Sequence, residues 1–253
     1  MALYDAQQRL RAGQPVIAVN LAGRNPDVMR PLAQFGADVA FIDCERTGLG
    51  LDAATELIRA AHVAGICPMV RSWSKDPAVM VRYLDRQTSG LIVPHIATAQ
   101  DVREAVELVR YASGAQVAEK TLIVQIETVS AVKNLAEILD VPGVDAYLIG
   151  PNDLAYDMTG QRGSQPPELL AAVQDVAAQC RSRSKPFGMP ANWDQLAHFR
   201  SMGGTFLYFP LEWLLQHALH DLNARFKQIL LKNSLTDASR NHCQTDAAGD
   251  QAD

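Results

Sequence analysis

The stretch Leu122-Ile-Val-Gln-Ile-Glu127-Thr128 is an apolar run of the length of one buried strand, and it ends in a glutamate. A second stretch, Tyr147-Leu-Ile-Gly-Pro-Asn-Asp153-Leu154, ends an apolar run with an aspartate. If the two strands are parallel neighbours, both acids project from the same edge of the sheet. A hard divalent cation prefers such carboxylate oxygens, so Glu127 and Asp153 are candidate metal ligands.

Similar apolar runs recur along most of the chain and alternate with segments of helical periodicity. With residues 122–126, the candidate strands number eight, and the others cover residues 15–19, 38–42, 67–70, 90–93, 144–149, 187–189 and 205–208. The segments of helical periodicity between and after them include residues 51–64, 79–84, 102–109, 132–139, 169–180 and 211–231.

Strict alternation of strand and helix predicts right-handed crossovers and a parallel sheet. Eight repeats in 253 residues favour a closed (β/α)8 TIM barrel, an α/β fold in one domain over residues 1–232. Residues 5–12 predict a leading helix that could close the barrel floor. From residue 233 to 253 the apolar stripe gives way to Ser, Thr, Asp, Ala and Gln, which predicts a disordered tail.

Composition excludes several kinds of partner. The net charge of −5 argues against nucleic acid and anionic membranes, because binding there needs a basic face. No apolar stretch approaches the roughly 18 residues that span a bilayer. The four cysteines form no CxxC pair and no secretory leader is recognisable, so we expect a protein of the cytoplasm. No glycine-rich phosphate or dinucleotide motif follows any strand.

Active sites of such barrels form where the strands end, and the residues there are unusually polar. Arg71 ends one run, and its planar guanidinium suits a carboxylate or an enolate oxygen. Glu127 and Asp153 supply two ligands, which suits Mg²⁺ or Mn²⁺ completed by water and substrate oxygens. The alternative is that these acids form salt bridges with Arg71 or Arg46, and that Arg71 pairs with Glu45. The turn Gly150-Pro151-Asn152 offers backbone N–H groups to a carboxylate.

At these residues the chain resembles the HpcH/HpaI aldolase and citrate lyase family of metal-dependent class II pyruvate aldolases. The resemblance runs from about residue 16 to 214. It is carried by Phe41-Ile-Asp-Cys-Glu45, Val70-Arg71, Leu84-Asp85, Leu91-Ile-Val-Pro94, Val124-Gln-Ile-Glu127-Thr128 and Ile149-Gly-Pro-Asn-Asp153-Leu154.

The resemblance implies a function for each matching residue. Glu127 and Asp153 would hold a divalent metal (Mg, Mn or Co), and Arg71 would contact the carbonyl oxygen of pyruvate. The pyruvate pocket would be lined by Gln125 and by the backbone of Gly150, Pro151, Asn152 and Asp153. Family members are usually homo-oligomers, often hexamers of dimers that exchange the last helix, here residues 211–231.

The chain departs from the family pattern on the side of the second substrate. A family histidine, the usual acid/base, is replaced by Arg46, which stays protonated and cannot act as a general base. Asp43 and Asp85, which would steer that histidine, are expected to pair with Arg46 instead. Asn20 stands where the family has a tryptophan, and the loop after the fourth helix is shortened to residues 111–116. His95 at the end of strand four is a candidate replacement acid/base, or else a surface histidine.

These observations predict a carbon–carbon lyase that acts on a small 2-oxo acid through a metal-stabilised enolpyruvate. Two alternatives stay open. One is an acyl-CoA-dependent enzyme like citrate lyase or synthase. The other is a catalytically silent homologue that only binds an oxyacid.

Overall fold

The computed structural model describes the backbone of residues 2–246 and the side chains of residues 5–229. Within that part, eight parallel strands pair in chain order and close into a barrel, as the sequence predicts. The strands are β1 (Val16–Asn20), β2 (Val39–Asp43), β3 (Cys67–Arg71), β4 (Gly90–Val93), β5 (Thr121–Ile126), β6 (Ala146–Ile149), β7 (Phe187–Pro190) and β8 (Phe206–Pro210). The predicted bounds lie within two residues of these.

The helices of the barrel follow the strands. They are α1 (Ala2–Arg11), α2 (Met29–Gln34), α3 (Leu51–Ala64), α4 (Pro77–Leu84), α5 (Ala99–Ser113), α6 (Val129–Lys133), α7 (Leu135–Leu139), α8 (Pro151–Thr159), α9 (Pro167–Ser182) and α10 (Leu196–Ser201). The helix predicted over residues 132–139 is in fact two short helices that meet at Asn134. Helix α8 begins where the sequence predicted only a tight turn.

Apolar side chains form two layers around the sheet. One layer lies between the strands and the surrounding helices, where Leu57, Leu91 and Val124 are fully buried. The other fills the interior of the barrel. Ala6 and Leu10 of α1 belong to this inner layer, so the leading helix covers the N-terminal end of the barrel, as predicted.

The last helix, α11 (Leu211–Asp246), forms most of a separate compact unit over residues 212–253. Among residues 211–229, the part of this helix whose side chains are described, five apolar side chains form an exposed row: Leu215, Leu219, Leu222, Phe226 and Ile229. Helix α11 continues to Asp246, and residues 247–253 lie outside the described part. The predicted domain boundary at residue 232 and the predicted disordered tail over residues 233–253 stay predictions. No described helix is long and apolar enough to cross a membrane.

Candidate active site

A buried ion pair joins the C-terminal ends of β2 and β3. Asp43 and Arg71 are register partners on these adjacent strands. Arg71 Nε donates to Asp43 Oδ1 at 2.9 Å and Arg71 Nη2 donates to Oδ2 at 2.5 Å. Both residues are more than nine-tenths buried, and the guanidinium also lies 5.6 Å from the centroid of the Phe41 ring. Asp43 thereby holds the guanidinium of Arg71 in a fixed position at the rim of the barrel.

The charges of this pair are mutually stabilised. Burial would raise the pKa of Asp43, but the hydrogen bonds and charge of Arg71, with the N–H groups of Arg46 and Glu45, outweigh burial and lower that pKa. Burial would likewise lower the pKa of Arg71, and Asp43 and Glu45 raise it instead. The expected pairing of Asp43 with the Arg46 side chain is therefore wrong. The strand register places Arg71 beside Asp43, and Arg46 reaches elsewhere.

Arg46 pairs with Asp153. Its Nη2 atom donates to Asp153 Oδ1, and its Nε lies 3.8 Å from Glu45 Oε1. Burial would lower the pKa of Arg46, but the hydrogen bond and charge of Asp153 raise it. The salt bridge between Arg46 and one of the two acids, an alternative in the sequence interpretation, is thus present in the structure.

Glu127 follows β5 and is almost fully buried. Its Oε2 accepts a hydrogen bond of 2.5 Å from Gln125 Nε2, and its Oε1 accepts one of 2.7 Å from the His95 backbone N–H. Gly150, after the neighbouring strand β6, leaves room for this carboxylate. A Cβ atom at Gly150 would lie 2.8 Å from Glu127 Cβ and 2.9 Å from Glu127 Oε2.

The pKa of the Glu127 carboxyl group lies close to neutral pH. Burial is the main cause that raises its pKa, to about 7, and the negative charges of Glu45 and Asp153 add to the shift. The backbone N–H and the charge of His95 act in the opposite direction. A buried carboxyl group with negative neighbours and few counter-charges favours a bound cation or a proton.

His95 lies between two carboxylates at the end of β4. Its Nε2 is 3.1 Å from Glu45 Oε1 and its Nδ1 is 3.4 Å from Glu127 Oε1. Its backbone has φ 56°, a left-handed conformation that is costly for a residue other than glycine. The hydrogen bond to Glu45 is the main cause that raises the pKa of His95. About half of its side chain, 52%, is exposed, so the ring can be reached from solvent.

Glu45 is the site residue to which the sequence assigned no function. Its side chain is 6% exposed, with Oε2 3.1 Å from Arg71 Nη1. Its other oxygen, Oε1, lies 3.1 Å from His95 Nε2, so the carboxylate is ion-paired on both sides. Its position directly after β2 is the signal that would have placed it at the rim.

The motif Gly150-Pro151-Asn152 starts a helix. Gly150 is the N-cap of α8 and Pro151 is its first residue. The N–H groups of Asn152 and Asp153 therefore belong to a first helical turn, where backbone N–H groups lack partners in the helix and attract anions.

Asn20 ends β1 beside the ion pair. Its Nδ2 donates to Tyr208 Oη at 2.6 Å and to Asp43 Oδ2 at 3.2 Å. Asn20 thus joins Asp43 to Tyr208 in the middle of β8, and a contact between Asn20 and the substrate is a prediction. Asp85, by contrast, is not brought to the rim. It follows the last residue of α4, a helix that runs back to the start of β4, and its carboxylate is exposed.

The rim residues fit a divalent cation. Glu45, His95 and Glu127 each offer one ligand atom, and these three atoms lie within 4.8 Å of one another. A buried carboxyl group whose pKa is raised, as that of Glu127 is, is a group that a cation would stabilise. A (β/α)8 barrel with acidic and basic side chains gathered at the ends of its strands has the arrangement typical of the active sites of barrel enzymes.

Comparison with known proteins narrows that class. The family model of the HpcH/HpaI aldolase/citrate lyase family matches residues 17–206. A 4-hydroxy-2-oxo-heptane-1,7-dioate aldolase of Shigella sonnei (strain Ss046) is 33% identical over 86% of this chain and 92% of its own length. The chain therefore belongs to the HpcH/HpaI family, and it is a carbon–carbon lyase of the aldolase type.

Solved structures agree with this assignment. A HpcH/HpaI aldolase/citrate lyase family protein from Burkholderia cenocepacia J2315 superposes with a TM-score of 0.79 at 25% identity, over 87% of this chain and 98% of the other. A HpcH/HpaI aldolase from Desulfitobacterium hafniense DCB-2 gives a TM-score of 0.75 at 26% identity, over 87% and 96%.

Proposed function

We propose that the protein cleaves and forms the C3–C4 bond of a 4-hydroxy-2-oxo acid, the bond between the α and β carbons of the ketone, through the enolate of pyruvate and with a divalent cation at Glu127. The observation that carries this proposal is the arrangement of Arg71. Its guanidinium is clamped by Asp43 at the rim that also carries Glu127 and the start of α8.

Arg71 stabilises the oxyanion in this proposal. Asp43 takes two of the five N–H donors of a guanidinium, so donors remain for the carbonyl oxygen of the substrate. The carbonyl oxygen gains negative charge as the enolate forms. A charge that is already fixed in place stabilises that change without reorganisation.

The substrate carboxylate is assigned to the first turn of α8. The N–H groups of Asn152 and Asp153 point out of a helix N-terminus, and no side chain caps that end. Gln125, fully buried beside Glu127, lines the same pocket, and its Oε1 accepts no hydrogen bond within the described residues.

A divalent cation such as Mg²⁺, Mn²⁺ or Co²⁺ supplies Lewis-acid chemistry when it is bound, lowering the free energy of the enolate. Glu127 would hold it. The family resemblance pairs Glu127 with Asp153 as the second ligand, whereas here Asp153 is engaged by Arg46.

Two further assignments accompany the function. Cys44, Cys67 and Cys180 are buried free thiols, which supports the predicted cytoplasmic location. The five exposed apolar residues of α11 support a homo-oligomer, since apolar side chains in such a row are usually covered by a partner.

Deuterium exchange tests the proposed function. The methyl protons of pyruvate should exchange with deuterium from the solvent in the presence of Mg²⁺, Mn²⁺ or Co²⁺, because the enolate forms before the new carbon–carbon bond. Proton NMR measures the exchange as loss of the methyl signal. Glu127→Gln should abolish the exchange and the surface variant His198→Gln should retain it. Absence of exchange with all three ions would reject the proposal, and tight pyruvate binding without exchange would indicate a silent binding protein.

A further inference from the structure

Tyr208 of β8 lies in the barrel interior, close to the ion pair between Asp43 and Arg71. Its side chain packs against the inner apolar layer, and in the strand register it lies opposite Ala18 of β1. Neither the sequence patterns nor the proposed reaction gives this residue a function. A tyrosine that is partly buried among apolar side chains usually has a hydrogen-bond partner for its hydroxyl group.

The hydroxyl group of Tyr208 belongs to a chain of hydrogen bonds that leads to Arg71. Asn20 Nδ2 donates to Tyr208 Oη at 2.6 Å and to Asp43 Oδ2 at 3.2 Å. Asp43 Oδ2 also accepts a hydrogen bond of 2.5 Å from Arg71 Nη2. The amide of Asn20 therefore connects the phenol of Tyr208 to the carboxylate that clamps the guanidinium.

The amide of Asn20 is held in one orientation. Its Oδ1 accepts a hydrogen bond of 3.1 Å from the Ala22 backbone N–H, while its Nδ2 donates to Tyr208 and Asp43. A flipped amide would place its carbonyl oxygen against the Asp43 carboxylate and its NH₂ group against a backbone N–H. Asn20 can thus transmit the position of the Tyr208 hydroxyl group to Asp43.

The ring of Tyr208 supports Arg71 by a second route. The centroids of the Phe41 and Tyr208 rings are 4.8 Å apart, in an edge-to-face arrangement with 73° between the ring planes. The Phe41 ring lies 5.6 Å from Arg71 Cζ, within the range of a cation–π contact. Burial would lower the pKa of Arg71, and Tyr208 is, after Asp43 and Glu45, among the groups that raise it.

We propose that Tyr208 is a positioning residue that holds the Arg71 guanidinium in place for the enolate oxygen, through Asn20 and Asp43 on one side and through Phe41 on the other. The inference rests on the proposed function for the reaction that Arg71 assists. Donors that are already in place stabilise a developing charge without reorganisation, so a less ordered guanidinium lowers the rate more than it weakens substrate binding.

Tyr208→Phe tests the hydroxyl group, because it keeps the ring and its contact with Phe41. The rate of deuterium exchange into pyruvate is measured with Mn²⁺ at increasing pyruvate concentrations. A displacement of about 1 Å can cost a reaction about 100-fold, so the loss of one hydroxyl group behind Asp43 should lower kcat by about tenfold. KM for pyruvate should stay within about threefold, since an interaction made mainly in the transition state affects kcat.

Two further variants complete the kinetic series. Tyr208→Leu also removes the aromatic contact with Phe41 and should lower kcat further than Tyr208→Phe. Tyr156→Phe, at an exposed tyrosine of α8, is the matched control and should change neither kcat nor KM. Thermal unfolding checks that each variant is folded.

A double-mutant cycle tests the route through Asn20. If the hydroxyl group acts through the Asn20 amide, Tyr208→Phe and Asn20→Ala remove the same support from Asp43. The double variant should then be no slower than the slower single variant, whereas independent effects would multiply.

NMR gives a readout that does not depend on turnover. The Arg71 Nε–H group, which donates to Asp43 Oδ1 at 2.9 Å, is identified in a proton–nitrogen correlation spectrum by its absence in Arg71→Lys. Its exchange with solvent should be several-fold faster in Tyr208→Phe than in the wild type, and unchanged in Tyr156→Phe, because a less ordered ion pair opens more often.

The outcomes separate this inference from the proposed function. An unchanged kcat in Tyr208→Phe, a raised KM with kcat unchanged, or multiplied effects in the double variant would overturn the positioning role and leave the lyase function intact. If the wild type catalyses no exchange, the proposed function fails and the Nε–H measurement alone decides the role of Tyr208. Equal exchange rates of that group in the wild type and Tyr208→Phe would overturn the inference.

Discussion

Arg46, in the loop after β2, forms a salt bridge with Asp153 in the first turn of α8. The residue that replaces the family histidine thus neutralises the residue that the resemblance assigned to the metal. If the family has a histidine here, as the resemblance implies, Arg46 supplies a fixed positive charge in place of a base.

Replacing Arg46 by histidine should restore proton transfer. Arginine cannot accept a proton at working pH, whereas a positioned histidine contributes about a hundredfold or more to the rate. Arg46→His is therefore expected to raise the rate at which pyruvate is released from a 4-hydroxy-2-oxo acid, measured with a lactate dehydrogenase coupling assay. Arg46→Gln removes the charge without adding a base, so an equal gain in that variant would contradict the explanation.

Removing the carboxylate of the buried ion pair should destabilise the fold. Asp43→Asn leaves Arg71 charged and without its main partner, which is expected to cost about 3 to 5 kcal/mol of unfolding free energy at pH 7. Urea unfolding measures this cost. Asp85→Asn is the matched control, because the exposed Asp85 carboxylate has no partner among the described residues, and its change should stay within about 0.5 kcal/mol.

The cost of Asp43→Asn should depend on pH. The pKa of Asp43 is lower in the folded protein than its ordinary value of 3.8, so the unfolded chain binds the proton more readily. The contribution of the ion pair is complete above pH 3.8 and is lost as the pH falls through the folded pKa. The difference between the wild type and Asp43→Asn should therefore shrink in acid, and a difference that is constant with pH would contradict this.

The site around Glu127 should be sensitive to one added methyl group. In Gly150→Ala the new Cβ would lie 2.8 Å from Glu127 Cβ, so the Glu127 side chain has to move. We expect weaker Co²⁺ binding and a loss of about 1 to 3 kcal/mol in stability, measured by calorimetry and urea unfolding. Gly48→Ala is the control, because a Cβ there meets nothing within 4 Å. An unchanged affinity for Co²⁺ in Gly150→Ala would indicate that Glu127 does not bind the metal.

The exposed face of α11 should mediate assembly. Leu215, Leu219, Leu222, Phe226 and Ile229 are spaced four and three residues apart, the repeat of a helix that packs against another. A charge on this face, as in Leu222→Arg, should convert an oligomer into smaller species, measured by light scattering coupled to size-exclusion chromatography.

Ala224 lies on the opposite side of α11 and is also exposed. Ala224→Arg should therefore leave the assembly intact. A wild-type protein that is monomeric, or dissociation by both variants alike, would contradict the assignment of this face.

Most of the barrel could be predicted from sequence, because fully buried parallel strands are short apolar runs and their spacing repeats. Helix α8 was missed because Gly150-Pro151 is equally typical of a turn and of the start of a helix. The break at Asn134 was missed because the apolar spacing continues across it.

The sequence predicted most residues of the candidate site, but it did not predict which acidic side chain pairs with which basic one. Strand order shows that Asp43, Arg71 and Glu127 share a rim, yet it does not show which arginine takes which acid; that follows from the register of β2 and β3. The position of His95 between Glu45 and Glu127 depends on a left-handed backbone conformation, which the sequence Pro94-His95 does not indicate.

The cover that α1 forms over the N-terminal end of the barrel leaves the C-terminal end as the side from which substrates would reach the rim. With Ala6 and Leu10 packed into the inner layer, the cluster is approached from the opposite mouth. An aldehyde bound in front of pyruvate would then block its exit. With that arrangement, pyruvate is expected to bind before the aldehyde and to leave after it.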